Sequence, residues 1–270
     1  MTESSQLVPF PEAWATTRQA LHRYLAAISV VPRAHAEPHP HWWHIGLTVQ
    51  PNGLVTTPLR LPDGGSLTLG VDPARHAAWL DAPTSHLEFP LDAPTTGSEF
   101  GDRIVAEAVA LGLDDTFDRA RYASDEATEY DLGAAVAGWH NLTAVHGVLE
   151  RHRARIDGET SPVHVWAHHF DMSFEWFGTR MAMGEGGSPA PAQLNLGFDP
   201  GETPYFYSSP WPFDDRLLGE PLPEGAAWHT AGWKGSMLPF DAVLGDAGWA
   251  ERVLEYAAAV HRLARPTLMA

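Results

Sequence analysis

Two short stretches concentrate the side chains that can move a proton or hold a ligand. One is His41-Trp-Trp-His44. The other runs Val163-His-Val-Trp-Ala-His-His-Phe-Asp171. Imidazole titrates near neutrality and serves as acid, base or metal ligand. A carboxylate beside it fixes its tautomer and raises its basicity. Both stretches read as strand, because Ile-Gly-Leu-Thr-Val follows the first and alternating aromatics run through the second. On a strand, alternate side chains share a face. His41, Trp43, Ile45, Leu47 and Val49 then share an apolar face, and Trp42, His44, Gly46 and Thr48 share the other. In the second stretch His164, Trp166, His168, Phe170, Met172, Phe174 and Trp176 share an apolar face, opposite His169, Asp171, Ser173 and Glu175.

On this reading His41 and His44 point apart and do not grip one metal, as they would on a helix. His164 with His168, and His169 with Asp171, are geometrically suited as ligand pairs. The competing reading is a set of core histidines bonded to backbone carbonyls. The residues singled out for chemistry are His44 and Asp171 as a general acid/base couple, with His164 assisting. A structural ion pair is the alternative for that couple. His41, Trp43, Trp166, His168 and Phe170 are the expected lining of an aromatic ligand pocket. The histidines admit a divalent metal without requiring one, so the cofactor is left open. No nucleotide-binding, nucleophile-elbow or H-E-x-x-H motif occurs.

Elements that would position these residues follow from periodicity. A helix over 12–29 carries Trp14, Thr17, Leu21, Leu25 and Ile28 on one stripe, and Pro32 should end it. Strands read at 42–50, 54–59, 66–71, 77–81 and 86–91, and a helix at 98–111. The order then restarts. A helix at 132–156 precedes a long strand at 163–177 and a Gly-, Ser- and Pro-rich loop at 184–191. Strands at 193–198, 204–207 and 227–234 and a helix at 249–264 follow. Leu67-Thr-Leu-Gly-Val-Asp-Pro73 matches Leu194-Asn-Leu-Gly-Phe-Asp-Pro200 at an offset of 127, and Ala20–Leu25 pairs with Ala144–Leu149. The expected fold class is therefore α+β. We read a single domain over 1–270, built from two copies of a helix–antiparallel sheet–helix unit at about 12–112 and 131–265. The two halves should join into one continuous or barrel-like sheet.

Composition bounds the partners. The 270 residues are 44% hydrophobic and 19% charged, as expected of a globular chain with a large core. With no cysteine there is no disulfide, thiolate nucleophile or Cys-ligated metal. The formal charge of −17 argues against nucleic acid or an anionic membrane surface as partner, and favours cationic or neutral ligands. The first residues lack an export signal and no apolar run reaches membrane-span length, so a cytoplasmic location is expected.

Several motifs occur in a recognisable order: Pro11-x-x-Trp14-x-x-Thr17-x-x-x-Leu21-His22, His41-Trp-Trp-His44, Tyr130-Asp131, Ser161-Pro-Val-His164 with Phe170-Asp171, and Phe177-Gly-x-Arg180. In these the chain resembles an uncharacterised bacterial family catalogued only as a domain of unknown function. The resemblance implies that His44, His164 and Asp171 sit at motif positions, and it lends no such support to His168 and His169. It also implies a departure after Pro191, where the family tends to carry a Glu and a Ser-His-Glu stretch and this chain has Ala-Gln-Leu-Asn-Leu. The expected function is an enzyme acting on a small organic molecule by His/Asp acid–base chemistry. The alternative is a non-catalytic small-ligand-binding or accessory protein.

Overall fold

The computed structural model describes residues 6–93, 95–127, 129–184 and 187–270. The first five residues, where an export signal was sought, and 185–186 of the expected 184–191 loop lie outside the described residues. The fold is α+β, and its strand pairings are antiparallel. The chain divides into two compact units. One comprises Phe10–His140 and His164–Phe170. The other comprises Met1–Pro9, Asn141–Val163 and Asp171–Ala270.

In the Phe10–His140 unit, helix α1 spans Trp14–His35. Trp14, Thr17, Leu21, Leu25 and Ile28 are all buried, as their helical spacing requires. The helix does not stop before Pro32. Pro32 is buried inside it, and the turn after it is completed by Ala36 N–H donating to the Pro32 carbonyl at 2.9 Å. Proline deletes one donor and crowds the carbonyl four residues back, but near a helix end that loss is confined to one turn. The extension matters because it keeps Arg33 on the helix.

The strands are β1 (Leu47–Gln50), β2 (Gly53–Thr56), β3 (Leu59–Arg60), β4 (Ser66–Asp72), β5 (Ala77–Ala82) and β6 (Ser85–Pro90), followed by α2 (Gly97–Ala110). A capping box opens α2: the Thr96 side chain accepts from Glu99 N–H, and Glu99 accepts from Thr96 N–H. Residues 132–140 belong to helix α3 (Leu132–Arg153), and β7 (His164–Trp166) completes the unit. The ladder order is β7-β1-β2-β4-β5-β6, with β3 on β4, and the path does not close on itself. The α1 and α2 helices pack together, and α1 covers β2 and β4. Tyr24 of α1 meets Phe100 of α2 edge-on at 4.8 Å, and Phe89 of β6 joins them.

Two expected strands begin later or break. The 42–50 strand starts only at Leu47, because Trp42 is left-handed (φ 61°, ψ 15°) and a 3-10 turn covers Trp43–Ile45. The 163–177 strand is interrupted after Trp166. Phe170 N–H donates back to the Trp166 carbonyl at 2.7 Å, and Phe170 sits at φ 56°. The alternation that placed His164 through Trp176 on one face therefore does not run through this turn.

In the second unit, strands β8 (Asp171–Met183), β9 (Pro189–Asp199), β10 (Tyr205–Trp211), β11 (Ala227–His229) and β12 (Gly235–Pro239) follow the order β8-β9-β10-β12-β11. Helix α4 (Trp249–Leu268) packs on β8, β9, β10 and β12. Met172, Phe174 and Trp176 alternate into its core with Leu194, Leu196 and Phe198. Of the residues expected to be buried, Leu47, Trp166, Phe170 and Phe174 are, and Trp43 is half-buried.

The two matched heptapeptides form strands of like construction, one in each unit. In β4, Gly70 pairs with Trp79 of β5; in β9, Gly197 pairs with Tyr207 of β10. A Cβ on Gly70 would lie 2.4 Å from the Trp79 ring, and one on Gly197 would lie 2.6 Å from the Tyr207 ring. Each glycine lets an aromatic from the next strand lie flat across it. Each motif ends at an aspartate that closes the hairpin, Asp72 opposite Ala77 and Asp199 opposite Tyr205.

Candidate functional site

One stripe of α1 builds a wall. Trp14, Arg18, His22, Ala26, Ser29 and Arg33 recur at spacings of four, four, four, three and four, which stacks them along one helix face. The upper part of the stripe clamps the 164–170 segment. Trp14 and Phe170 rings lie 6.4 Å apart, and the Arg18 guanidinium stands 5.6 Å from the Phe170 centroid. Arg18 Nη2 donates to the His169 carbonyl at 2.7 Å, and His22 bonds to the backbone of Ala167 and His168. These contacts hold Phe170 in its left-handed conformation, which an unbraced phenylalanine would avoid.

The lower part of the stripe faces a cavity of ≈ 210 Å³. Its lining comprises His22, Ala26, Ser29 and Arg33 of α1, Ile45 of the 3-10 turn, Arg121, and Ala167 and His168 of the clamped segment. Four of these eight side chains are basic and none is acidic. Arg33 Nε is buried with no hydrogen-bond partner among the described residues. Burial and then Arg121 push the Arg33 guanidinium down from its ordinary value, with Asp118 opposing. Asp118 itself is paired with Arg121 Nε at 3.1 Å.

The imidazoles here are neutral at pH 7. Burial, then the positive charges of Arg18 and His169, lower His22, against the pull of its backbone bonds. His168 is lowered to about 4, by the protein packed around its ring first and then by His169, Arg33, His22 and Arg121. More than a third of the His168 surface stays exposed, so solvent screens much of this effect. Its direction rests on burial first, with Arg33 and Arg121 among the neighbours that reinforce it. His44 is likewise lowered, by burial, Arg33 and His39.

Five sequence-predicted site residues join in one string of ring contacts: His41 to Trp43 at 5.7 Å, Trp43 to His164 at 6.3 Å, His164 to Trp166 at 5.4 Å and Trp166 to His168 at 6.0 Å. His164 is buried, neither ring nitrogen has a hydrogen-bond partner among the described residues, and burial lowers it to about 4. Gly46 makes room for it: a Cβ there would stand 2.6 Å from His164 Nδ1. His44 lies off the string, its ring stacked on Trp42 at 5.6 Å. Its Nδ1 accepts from His39 N–H at 3.1 Å, and His39 Nδ1 accepts from His41 N–H at 3.2 Å. Those bonds occupy the Nδ1 lone pair of each ring and leave Nε2 as its outward nitrogen. Among the described residues, no group of three or more His, Asp or Glu is arranged to hold a metal ion.

Phe170 is fully buried and packs rather than lines the cavity. Asp171 belongs to the other unit, where the Tyr207 hydroxyl donates to Oδ2 in a short hydrogen bond; Gly197 leaves the space that Tyr207 crosses. Sequence reading missed Arg33 and Arg121, and did not assign His22 to a site. The signal for His22 and Arg33 was present as the 22, 26, 29, 33 spacing, masked by ending the helix at Pro32.

No helix among the described residues is long and apolar enough to cross a membrane. Compared with known proteins, residues 9–267 match the model of a family of unknown function, DUF5996. No curated protein and no solved structure matches the chain.

Proposed function

The chain belongs to the DUF5996 family, and from that premise we propose that it binds a small organic anion in the Arg33 cavity, with neutral His22 and His168 able to take a proton from it. The observation that carries this reading is Arg33 Nε, a buried cationic donor without a partner, beside Arg121 in a lining that holds no carboxylate. A carboxylate or phosphate oxygen supplies the missing acceptor, and guanidinium is the cation suited to both. The net charge of −17 had favoured cationic or neutral ligands, but the field inside a cleft is set by the groups that line it. In an enzyme built on this cavity, Arg33 and Arg121 hold the anion and His168 is the base. The alternative, a binding protein without chemistry, uses the same contacts and omits the proton transfer.

The reading is tested by titrating the isotope-labelled protein with acetate and with inorganic phosphate while following side-chain resonances. Arg33 and His168 signals should move, and Arg33→Gln should weaken binding by about 10-fold to 100-fold, the worth of a charged hydrogen bond. An unaltered Kd in the Arg33→Gln protein would overturn the reading.

We also propose that the segments at about 12–112 and 131–265 descend from one duplicated helix–sheet–helix element. The support is the pair of motif glycines, Gly70 and Gly197, each lying under an aromatic of the following strand.

A further inference from the structure

We propose that the anion carries a planar aromatic or heteroaromatic ring next to its charged group, and that Trp42 selects it. This rests on the anion reading of the Arg33 cavity and names the class of ligand. Trp42 is 56% exposed, the largest side chain among the exposed apolar residues described. A tryptophan left in water forgoes its burial energy, and its rigid, amphipathic ring is suited to contact a flat ligand. Its backbone is costly as well. A bulky residue at φ 61° lies in a region that residues other than Gly, Asn and Asp seldom occupy. The conformation persists because the turn over-determines it: Trp42 N–H donates to the His39 carbonyl at 2.9 Å, and the Trp42 carbonyl accepts from Ile45 N–H at 3.0 Å. The strained residue keeps two ring neighbours, His44 and Arg33, and still leaves more than half of its surface in water.

What the geometry does secure is the position of the indole relative to Arg33. The Arg33 guanidinium stands 5.6 Å from the Trp42 ring centroid, and the same side chain lines the cavity. His44 stacks on Trp42 with a 27° interplanar angle and orients the ring. The proposal places the ring attached to an Arg33-bound anionic group against the indole, through the side chain that both the cavity and Trp42 share. A flat ring can stack there, whereas a puckered one of the same size and charge makes poorer contact.

The test compares benzoate, cyclohexanecarboxylate and acetate by calorimetric or NMR titration of the full chain. Benzoate should bind about fivefold more tightly than cyclohexanecarboxylate, which matches it in charge and carbon count. Trp42→Ala should abolish that preference, and Trp42→Phe should keep most of it. Trp42→Gly provides a readout that does not depend on a side chain folding into the turn: glycine accepts the left-handed conformation, so the melting temperature should hold or rise while the preference is lost. Equal binding of benzoate and cyclohexanecarboxylate, or a preference that survives in Trp42→Gly, would overturn the proposal while leaving anion binding intact. If acetate and benzoate both bind the wild-type protein with affinities that Arg33→Gln does not change, the underlying anion reading fails instead.

Discussion

At the scale of single residues, the histidines and tryptophans of the candidate site were legible and its arginines were not. His41, Trp43, His164, Trp166 and His168 were picked out by type, and they do touch in sequence along one string of rings. Their neighbours were invisible, because Arg33 follows a proline and Arg121 comes from a surface link that reads as solvated charge. Burial first, and then His169, Arg33, His22 and Arg121, lower His168 to about 4, so an anion beside it must raise that value. Binding then takes up a proton, and by linkage the affinity for acetate should increase as pH falls from 7 toward 5. Isothermal titration in two buffers of different ionisation enthalpy measures the uptake directly. Release of protons on binding, or none in either buffer, would show that His168 does not sense the anion.

At the scale of elements, periodicity located the helices and most strands but not the turns that aim the site. The α1 stripe Trp14–Ile28 was readable because burial on one helix face imposes its own spacing. The breaks at Trp42 and Phe170 were not, since neither residue advertises a left-handed backbone. Both look like continued strand in sequence, and both are held by hydrogen bonds from residues three or four positions away. The reversal at Phe170 swings His168 and Ala167 onto α1 and places Phe170 against Trp14 and Arg18. Phe170→Ala should therefore cost about 3–5 kcal/mol in urea unfolding, the range for emptying a fully buried aromatic site. It should also broaden His168 resonances as the clamped segment loosens. A loss under about 1 kcal/mol would mean that the segment is held by its hydrogen bonds alone.

At the scale of the whole molecule, the α+β class and the alternating helix and sheet blocks were legible, and the local field was not. A formal charge of −17 is an average over the surface, and it conceals a cavity whose lining is basic. Salt should therefore weaken anion binding, because exposed Arg121 is screened within about 10 Å at 0.1 M. The proposed duplication makes a matched pair of claims. Gly70→Ala and Gly197→Ala should each destabilise their strands by about 1–3 kcal/mol, since a methyl at either position overlaps a rigid ring. Chemical denaturation of the two variants gives the comparison. A large cost at one and none at the other would argue that the shared heptapeptide is coincidence.

The Arg33 cavity is assembled from segments far apart in the chain. Its α1 wall is complete by His35, while Ala167 and His168 come from a heptapeptide that follows an excursion of 23 residues, 141–163, into the other unit. On a ribosome, the first 140 residues emerge without the strand that pairs with β1 through Leu47 and Val165. At about 5–20 residues per second, the 30 residues from His140 to Phe170 take roughly 1.5–6 s to add. During that interval Trp14, Arg18 and His22 of the nascent chain have nothing to clamp. Synthesis order thus makes the binding cavity one of the later features of its unit to form, whatever the intrinsic speed of the helices.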